Sequence, residues 1–108
     1  MSENRIMGLI GLAEKAGKTA SGDFSVEQVL KARKAKLVIL AQDASENTKH
    51  KFTERGEAAG CPVICLGNKE GLGKAIGKAK RACVAILDEG LAKAIRQSAE
   101  RLNAVQGE

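Results

Sequence analysis

Residues 37–43, Leu37-Val38-Ile39-Leu40-Ala41-Gln42-Asp43, decide the fold. Five consecutive apolar residues without polar alternation describe a strand covered on both faces, as in a sheet held between layers of helices. Asp43 and Glu46 follow at capping-box spacing, which predicts a helix from Asp43 to Gly60, with Gly60 as the left-handed residue that closes it.

Further along the chain, Pro62-Val63-Ile64-Cys65-Leu66 reads as a strand, with proline tolerated at its first residue. Asn68 caps a short helix through Leu72, Ala75 and Ile76, and Gly77 ends it. Ala82 to Leu87 is a second continuous apolar strand. Asp88 caps a last helix bearing Leu91, Ile95 and Leu102, and the polar tail from Asn103 to Glu108 is predicted to fray.

Towards the N-terminus, Ile6, Leu9, Ile10, Ala13 and Ala16 recur at helical spacing, giving a helix from Ser2 to Ala16 that Gly17 stops. Gly8 and Gly11 each cost that helix about 1 kcal/mol relative to alanine, which points to close backbone packing. Lys18 to Ser21 is a very short strand, ended by Gly22. A second helix follows with Val26, Val29 and Leu30 on one face. Helices and strands alternate throughout. This predicts one α/β domain over residues 1–108, a three-layer α/β/α sandwich around a four-stranded mixed sheet, with the strand order left open.

The chain has 108 residues and a formal net charge of +5, with pI about 9.3, so it attracts polyanions. Phe24 and Phe52 are the only aromatic residues, so the core is aliphatic. The apolar runs are too short to span a bilayer, and Met1 to Arg5 lacks the apolar region of a signal peptide. The expectation is a cytoplasmic protein with no membrane association. Cys61, Cys65 and Cys83 are odd in number and lack nearby metal ligands, so they read as small, reduced, buried hydrophobes.

Nothing in the sequence assembles a catalytic site. The single histidine, His50, falls on a charged helix and reads as solvated. Residues 67–74 (Gly-Asn-Lys-Glu-Gly-Leu-Gly-Lys) have the wrong glycine spacing for a phosphate loop, and Ala75 stands where Ser or Thr would hold magnesium. Gly8-Leu9-Ile10-Gly11 lies within a helix pattern rather than after a strand, so a dinucleotide fingerprint fails. The expectation is a non-enzyme with no cofactor and no metal. The basic residues are more telling: Lys31, Arg33, Lys34 and Lys36 form one cluster, and Lys74, Lys78, Lys80 and Arg81 another. Each adjoins a turn and is suited to contacting phosphates.

From Ala35 to Thr48 (Ala-Lys-Leu-Val-Ile-Leu-Ala-Gln-Asp-Ala-Ser-Glu-Asn-Thr) the chain closely resembles the bacterial YlxQ-type branch of the kink-turn RNA-binding family of ribosomal protein relatives. Ala16-Gly17-Lys18, Ser21-Gly22-Asp23-Phe24 and Leu72-Gly73-Lys74-Ala75-Ile76-Gly77 carry the same resemblance, which extends from Arg5 to about Ile95. It implies an α/β/α sandwich that binds a sharply bent RNA internal loop. In archaeal and eukaryotic members, a Gly-x-Asn-Glu-x-x-Lys stretch opens the second helix; its Asn and Glu read sheared G·A pairs, and its Lys holds the backbone. That stretch falls on residues 22–28. Only Gly22 is retained: Phe24 replaces the Asn, Ser25 the Glu and Gln28 the Lys.

Two readings of these departures stand together. Ser25 and Gln28 can hydrogen-bond RNA while Phe24 stacks on an unpaired base. Equally, Ser25 can be a helix cap, Gln28 its capping-box partner and Phe24 the staple packed on Val29. The family's second contact corresponds to residues 76–82, where Ile76 would touch splayed nucleotides and Gly77, Lys78, Lys80 and Arg81 would meet phosphates. With Lys18, Asp23, Lys31, Arg33 and Lys36, these residues make up the expected RNA-binding set. The expected partner is structured RNA, such as ribosomal RNA or a leader, with ribosomal proteins nearby and the chain monomeric. The alternatives are a protein-interaction module that has lost base readout and a stand-alone relative of the substrate-binding domain of RNA methyltransferases.

Overall fold

The computed structural model describes residues 2–106, and side chains over residues 3–102. The elements follow in the expected order: α1 (Ser2–Lys15), β1 (Thr19–Ser21), α2 (Asp23–Lys31), β2 (Leu37–Leu40), α3 (Glu46–Ala59), β3 (Val63–Cys65), α4 (Lys69–Ala75), β4 (Cys83–Ile86) and α5 (Glu89–Gln106). The strands form one sheet in the order β1-β4-β2-β3. The β1–β4 and β4–β2 pairs are antiparallel and β2–β3 is parallel, so the sheet is mixed.

The two central strands are buried along their whole length because both faces are covered. Leu37, Ile39, Val84 and Ile86 point to one face and pack with Ile6 and Ile10 of α1, Leu72 of α4 and Ile95 of α5. Val38, Leu40, Cys83 and Ala85 point to the other, against Val26 and Leu30 of α2 and Phe52 of α3. Burying Phe52 completely contributes about 1.5–3 kcal/mol, the largest single apolar side chain in that thinner layer. Successive side chains alternate between faces, so one uninterrupted apolar run feeds both cores.

At α3 and α5 a helix boundary differs from the sequence reading. Ser45, not Asp43, caps α3: its hydroxyl accepts from the Thr48 amide at 3.1 Å. Asp43 acts at a distance instead, its Oδ1 accepting from the Lys69 amide at 2.8 Å and so holding the start of α4. α5 continues through Gln106, past the point where the polar tail was predicted to fray; Gly107 and Glu108 lie outside the described residues. Asn68 and Asp88 cap their helices as read, accepting from Gly71 and Leu91. Gly11 lies close to the Ala75 carbonyl, where an added Cβ would stand 3.3 Å from its oxygen. Gly8 faces open space and makes no such contact.

The pairing register sorts the loops between the two ends of the sheet. Ser21 pairs with Val84, Leu40 with Cys83, and Leu40 with Cys65. The β1–α2 turn, the β2–α3 and β3–α4 loops and the α4–β4 loop therefore share one end. Lys18, Lys36 and Pro62 lie at the other.

Candidate nucleic-acid interface

Gly22 turns the chain from β1 directly into α2. Its φ of 87° is accessible to glycine with little strain, and its amide donates to the Cys83 carbonyl at 3.1 Å. This places Asp23, Phe24 and Ser25 in the first helical turn, so Ser25 is not the cap; Gly22 is, and no side chain caps the turn. Phe24 is not a staple either, being 74% exposed, the most exposed large hydrophobic side chain among the described residues. The first turn, which also carries Asp23, thus leaves amides without side-chain acceptors beside an aromatic ring in solvent, a geometry able to receive a phosphate oxygen.

The α4–β4 loop is folded against α4. The Lys78 amide donates to the Gly73 carbonyl at 2.8 Å and the Arg81 amide to the Lys69 carbonyl at 3.0 Å. Gly73 permits this approach: a Cβ there would lie 2.0 Å from the Ala79 oxygen and 2.6 Å from its carbonyl carbon. The half-buried Arg81 then ties the loop together, its Nη1 donating to the carbonyls of Ala79 (3.3 Å) and Lys80 (3.0 Å). Its Nε donates to the Ser21 hydroxyl at 3.2 Å, joining this loop to the turn that starts α2. Lys78, Ala79 and Lys80 remain exposed. Ile76, expected to touch nucleotides, is only 4% exposed and belongs to the α1–α4–α5 core. Its place at the end of a helix that packs on the sheet turns it inward, and Ala79 is the exposed apolar residue of the loop.

The expected residues therefore divide. Gly22, Asp23, Phe24 and Ser25 follow Ser21, which the Arg81 hydrogen bond ties to the loop carrying Gly77, Lys78 and Lys80, with Gln28 exposed one turn down α2. Lys18 and Lys36 flank the far end of β4: the Lys18 carbonyl accepts from Leu87, and the Lys36 amide donates to Ile86, both at 2.8 Å. The length of β4 is between them and Arg81, roughly 10 Å. Lys31 and Arg33 close α2 at that far end; Lys31 faces Glu27 at 3.9 Å, and the Arg33 Nη1 donates to the Ala59 carbonyl at 3.1 Å. The two basic clusters do not form one rim.

Burial raises the two buried thiols. The Cys83 thiol is pushed up to about 12 by burial and by the Asp23 carboxylate, whose Oδ1 is 3.8 Å from the sulfur. Burial also raises Cys61. Cys65 departs from the sequence reading and is exposed at the end of the edge strand β3. His50 is exposed, 3.2 Å from Glu54. Among the described residues, no group of three His, Cys, Asp or Glu side chains could hold a metal, and no helix is long and apolar enough to cross a membrane.

Residues 4–96 match the family model described as the ribosomal protein L7Ae/L30e/S12e/Gadd45 family. The chain belongs to this family. Among family relatives, the RNA-binding protein YlxQ of Bacillus subtilis (strain 168) is 39% identical over 84 residues, covering 78% of this chain and 84% of that protein. RNA-binding protein YlxQ of Enterococcus faecium is 34% identical over 99 residues, covering 92% and 95%. A solved structure from Bacillus halodurans, of a protein with unknown function, superimposes with a TM-score of 0.85 at 30% identity, covering 88% of this chain and 96% of that one. The Giardia lamblia 15.5kD RNA binding protein shares the fold, with a TM-score of 0.76 at 19% identity and coverage of 95% and 88%.

Two residues that shape the candidate site stand in motifs that carry the resemblance but were not among the expected RNA-binding residues. Ser21 reads as the last residue of a strand, and its role depends on Arg81, sixty positions away. Gly73 did leave a signal: two glycines, Gly71 and Gly73, within a seven-residue helix are costly unless another backbone comes close.

Proposed function

We propose that the whole chain is a single, non-catalytic RNA-binding domain that grips a structured, kink-turn-like RNA at the sheet end formed by residues 21–28 and 77–81. The observation that carries this reading is the Arg81–Ser21 hydrogen bond, which makes two loops one surface with Phe24, Lys78 and Lys80 exposed on it. The RNA-binding relatives support the same ligand class.

The amides of the first turn of α2 would receive a phosphate, and Lys78 and Lys80 would neutralise its neighbours. Phe24, standing where related proteins carry a hydrogen-bonding Asn, would stack on a base turned out of the helix. Ser25 and Gln28 would hydrogen-bond around it. A ribosomal RNA or structured leader in the cytoplasm, met by the monomer, fits this chemistry.

Gel shifts test the proposal with a kink-turn RNA and the same RNA with its G·A pairs replaced, each at two salt concentrations. Preference for the intact kink-turn is expected. Equal, strongly salt-dependent binding of both RNAs reduces the interaction to nonspecific electrostatics. No binding at low salt refutes the proposal and favours a protein-interaction module, which the departures at Phe24, Ser25 and Gln28 would then explain.

A further inference from the structure

α2 and α3 lie side by side on one face of the sheet, and an open groove of about 770 Å³ follows them. It extends from Asn47 in the first turn of α3, at the sheet end that carries Gly22 and Arg81, to Ala59 and Arg33 at the opposite end. Leu30, Ala58 and Ala59 contribute its apolar lining, and Lys31, Arg33, Lys51 and Arg55 its charge.

The cations are held in place rather than scattered. Glu27, with its side chain four-fifths buried, faces Arg55 at 3.0 Å, Lys51 at 3.3 Å and Lys31 at 3.9 Å. One carboxylate thus gathers three cations from two helices and cannot neutralise them. Glu54 faces His50 at 3.2 Å and does not close the deficit. Lys51 and Arg55 are one helical turn apart, about 6 Å along α3, so they present two cationic steps along the groove. The lysine and arginine groups supply donors for phosphodiester oxygens, and Arg55 has the planar fork that binds them in pairs.

We infer that the α2–α3 groove is a second RNA-backbone track, which takes up phosphates of a helical arm leaving the bent loop held at residues 21–28 and 77–81. The inference rests on the RNA-binding reading above. It gives Lys31 and Arg33, which the fold removes from the loop site, a place on the same ligand. The groove starts at the loop end of the sheet and has a cationic excess, which favours a continuing polyanion.

The test uses the full chain with three RNAs, a minimal kink-turn and the same kink-turn with one or the other arm extended by one helical turn. The wild type should bind one extended RNA more tightly and with a steeper salt slope than the minimal RNA. Lys51→Gln with Arg55→Gln should weaken binding to that extended RNA about ten-fold and lower its slope by about 2, leaving the minimal RNA unaffected. Glu27→Gln should do the opposite, tightening the extended RNA alone, an outcome that partial unfolding does not produce. Thermal melts of each variant establish that it is folded. If the minimal RNA binds but arm length and groove variants change nothing, the track is refuted and the groove is left to an acidic protein partner. Equal losses on both RNAs also refute it. If the wild type fails to bind even the minimal RNA, both proposals fall.

Discussion

The Arg81 Nε donates to the Ser21 hydroxyl across 3.2 Å, joining a loop and a turn sixty residues apart. The same guanidinium holds the carbonyls of Ala79 and Lys80, so Arg81 shapes the loop as well as charging it. Lysine supplies the charge but not the planar fork. Lys78→Ala should therefore weaken RNA binding modestly and lower the salt slope by about 0.7–0.9, the contribution of one phosphate contact. Arg81→Ala should cost more, and Arg81→Lys should not restore the loss. Filter binding from low to moderate salt checks all three, and full recovery in Arg81→Lys would reduce Arg81 to a simple charge.

Phe24 gives a cleaner separation of binding from stability. Its side chain is 74% exposed and contributes little to the core. Phe24→Ala should shift stability by no more than about 0.5 kcal/mol. Loss of base stacking should weaken RNA binding by ~1–3 kcal/mol, about five-fold to 150-fold. Phe24→Tyr should bind as the wild type does. Urea melts and RNA titrations of the same preparations are the measurement. An unchanged affinity in Phe24→Ala would exclude stacking by this ring.

The fold was legible because its signals are local. The runs Leu37–Ala41 and Ala82–Leu87 must be covered on both faces, and glycines or helix caps mark most boundaries. Non-local partners decided the rest. Asp43 has capping-box spacing to Glu46, yet its carboxylate serves Lys69, twenty-six residues away. Ser25, Gln28 and Phe24 also satisfied a local rule, but positive φ at Gly22, fixed by its bond to Cys83, starts the helix earlier and leaves the ring in solvent. Cation clusters were visible along the chain, but their distribution between the two ends of the sheet depends on strand order, which the alternation of elements leaves open.

Gly73 sets the position of the α4–β4 loop. An alanine Cβ would meet backbone atoms of Ala79 at 2.0 and 2.6 Å, and no side-chain rotation can relieve that. Gly73→Ala should push residues 78–79 away from α4, destabilising the protein by about 1–3 kcal/mol. The melting temperature should fall by several degrees. RNA affinity should drop beyond any unfolded fraction, because Lys78 and Arg81 move with the loop. Gly71→Ala is the milder comparison: the nearest atom to its Cβ would be the capping Asn68 side-chain oxygen at 3.1 Å, which need give only by a few tenths of an ångström. Similar melting temperatures for the two variants would remove the special role of Gly73.

The thiols should react in order of exposure. Cys83 is fully buried with its ionisation pushed up to about 12, and Cys61 is buried and also raised. Only the thiolate is nucleophilic, so neither should react at neutral pH while the protein is folded. Native protein treated with a thiol reagent should be labelled at Cys65 alone, and unfolded protein at all three. Cys65→Ser should abolish native labelling, and mass mapping of the modified peptides identifies the site.

Glu27 makes stability depend on pH in a defined direction. The Lys51 hydrogen bond, with help from Arg55 and Lys31, holds its carboxyl below the ordinary value of 4.5 against the opposing effect of burial. A carboxyl depressed in the folded state binds its proton less readily there than in the unfolded chain. Its stabilising contribution is therefore complete above about the unfolded value and fades as pH falls through the lower folded one. Glu27→Gln should be less stable than the wild type at pH 7. The gap between their melting temperatures should narrow below about pH 4.5. High salt should narrow it at neutral pH too, since these partly exposed charges are screened. A gap that stays constant from pH 7 to pH 3 would mean that Glu27 acts by packing rather than through its charge.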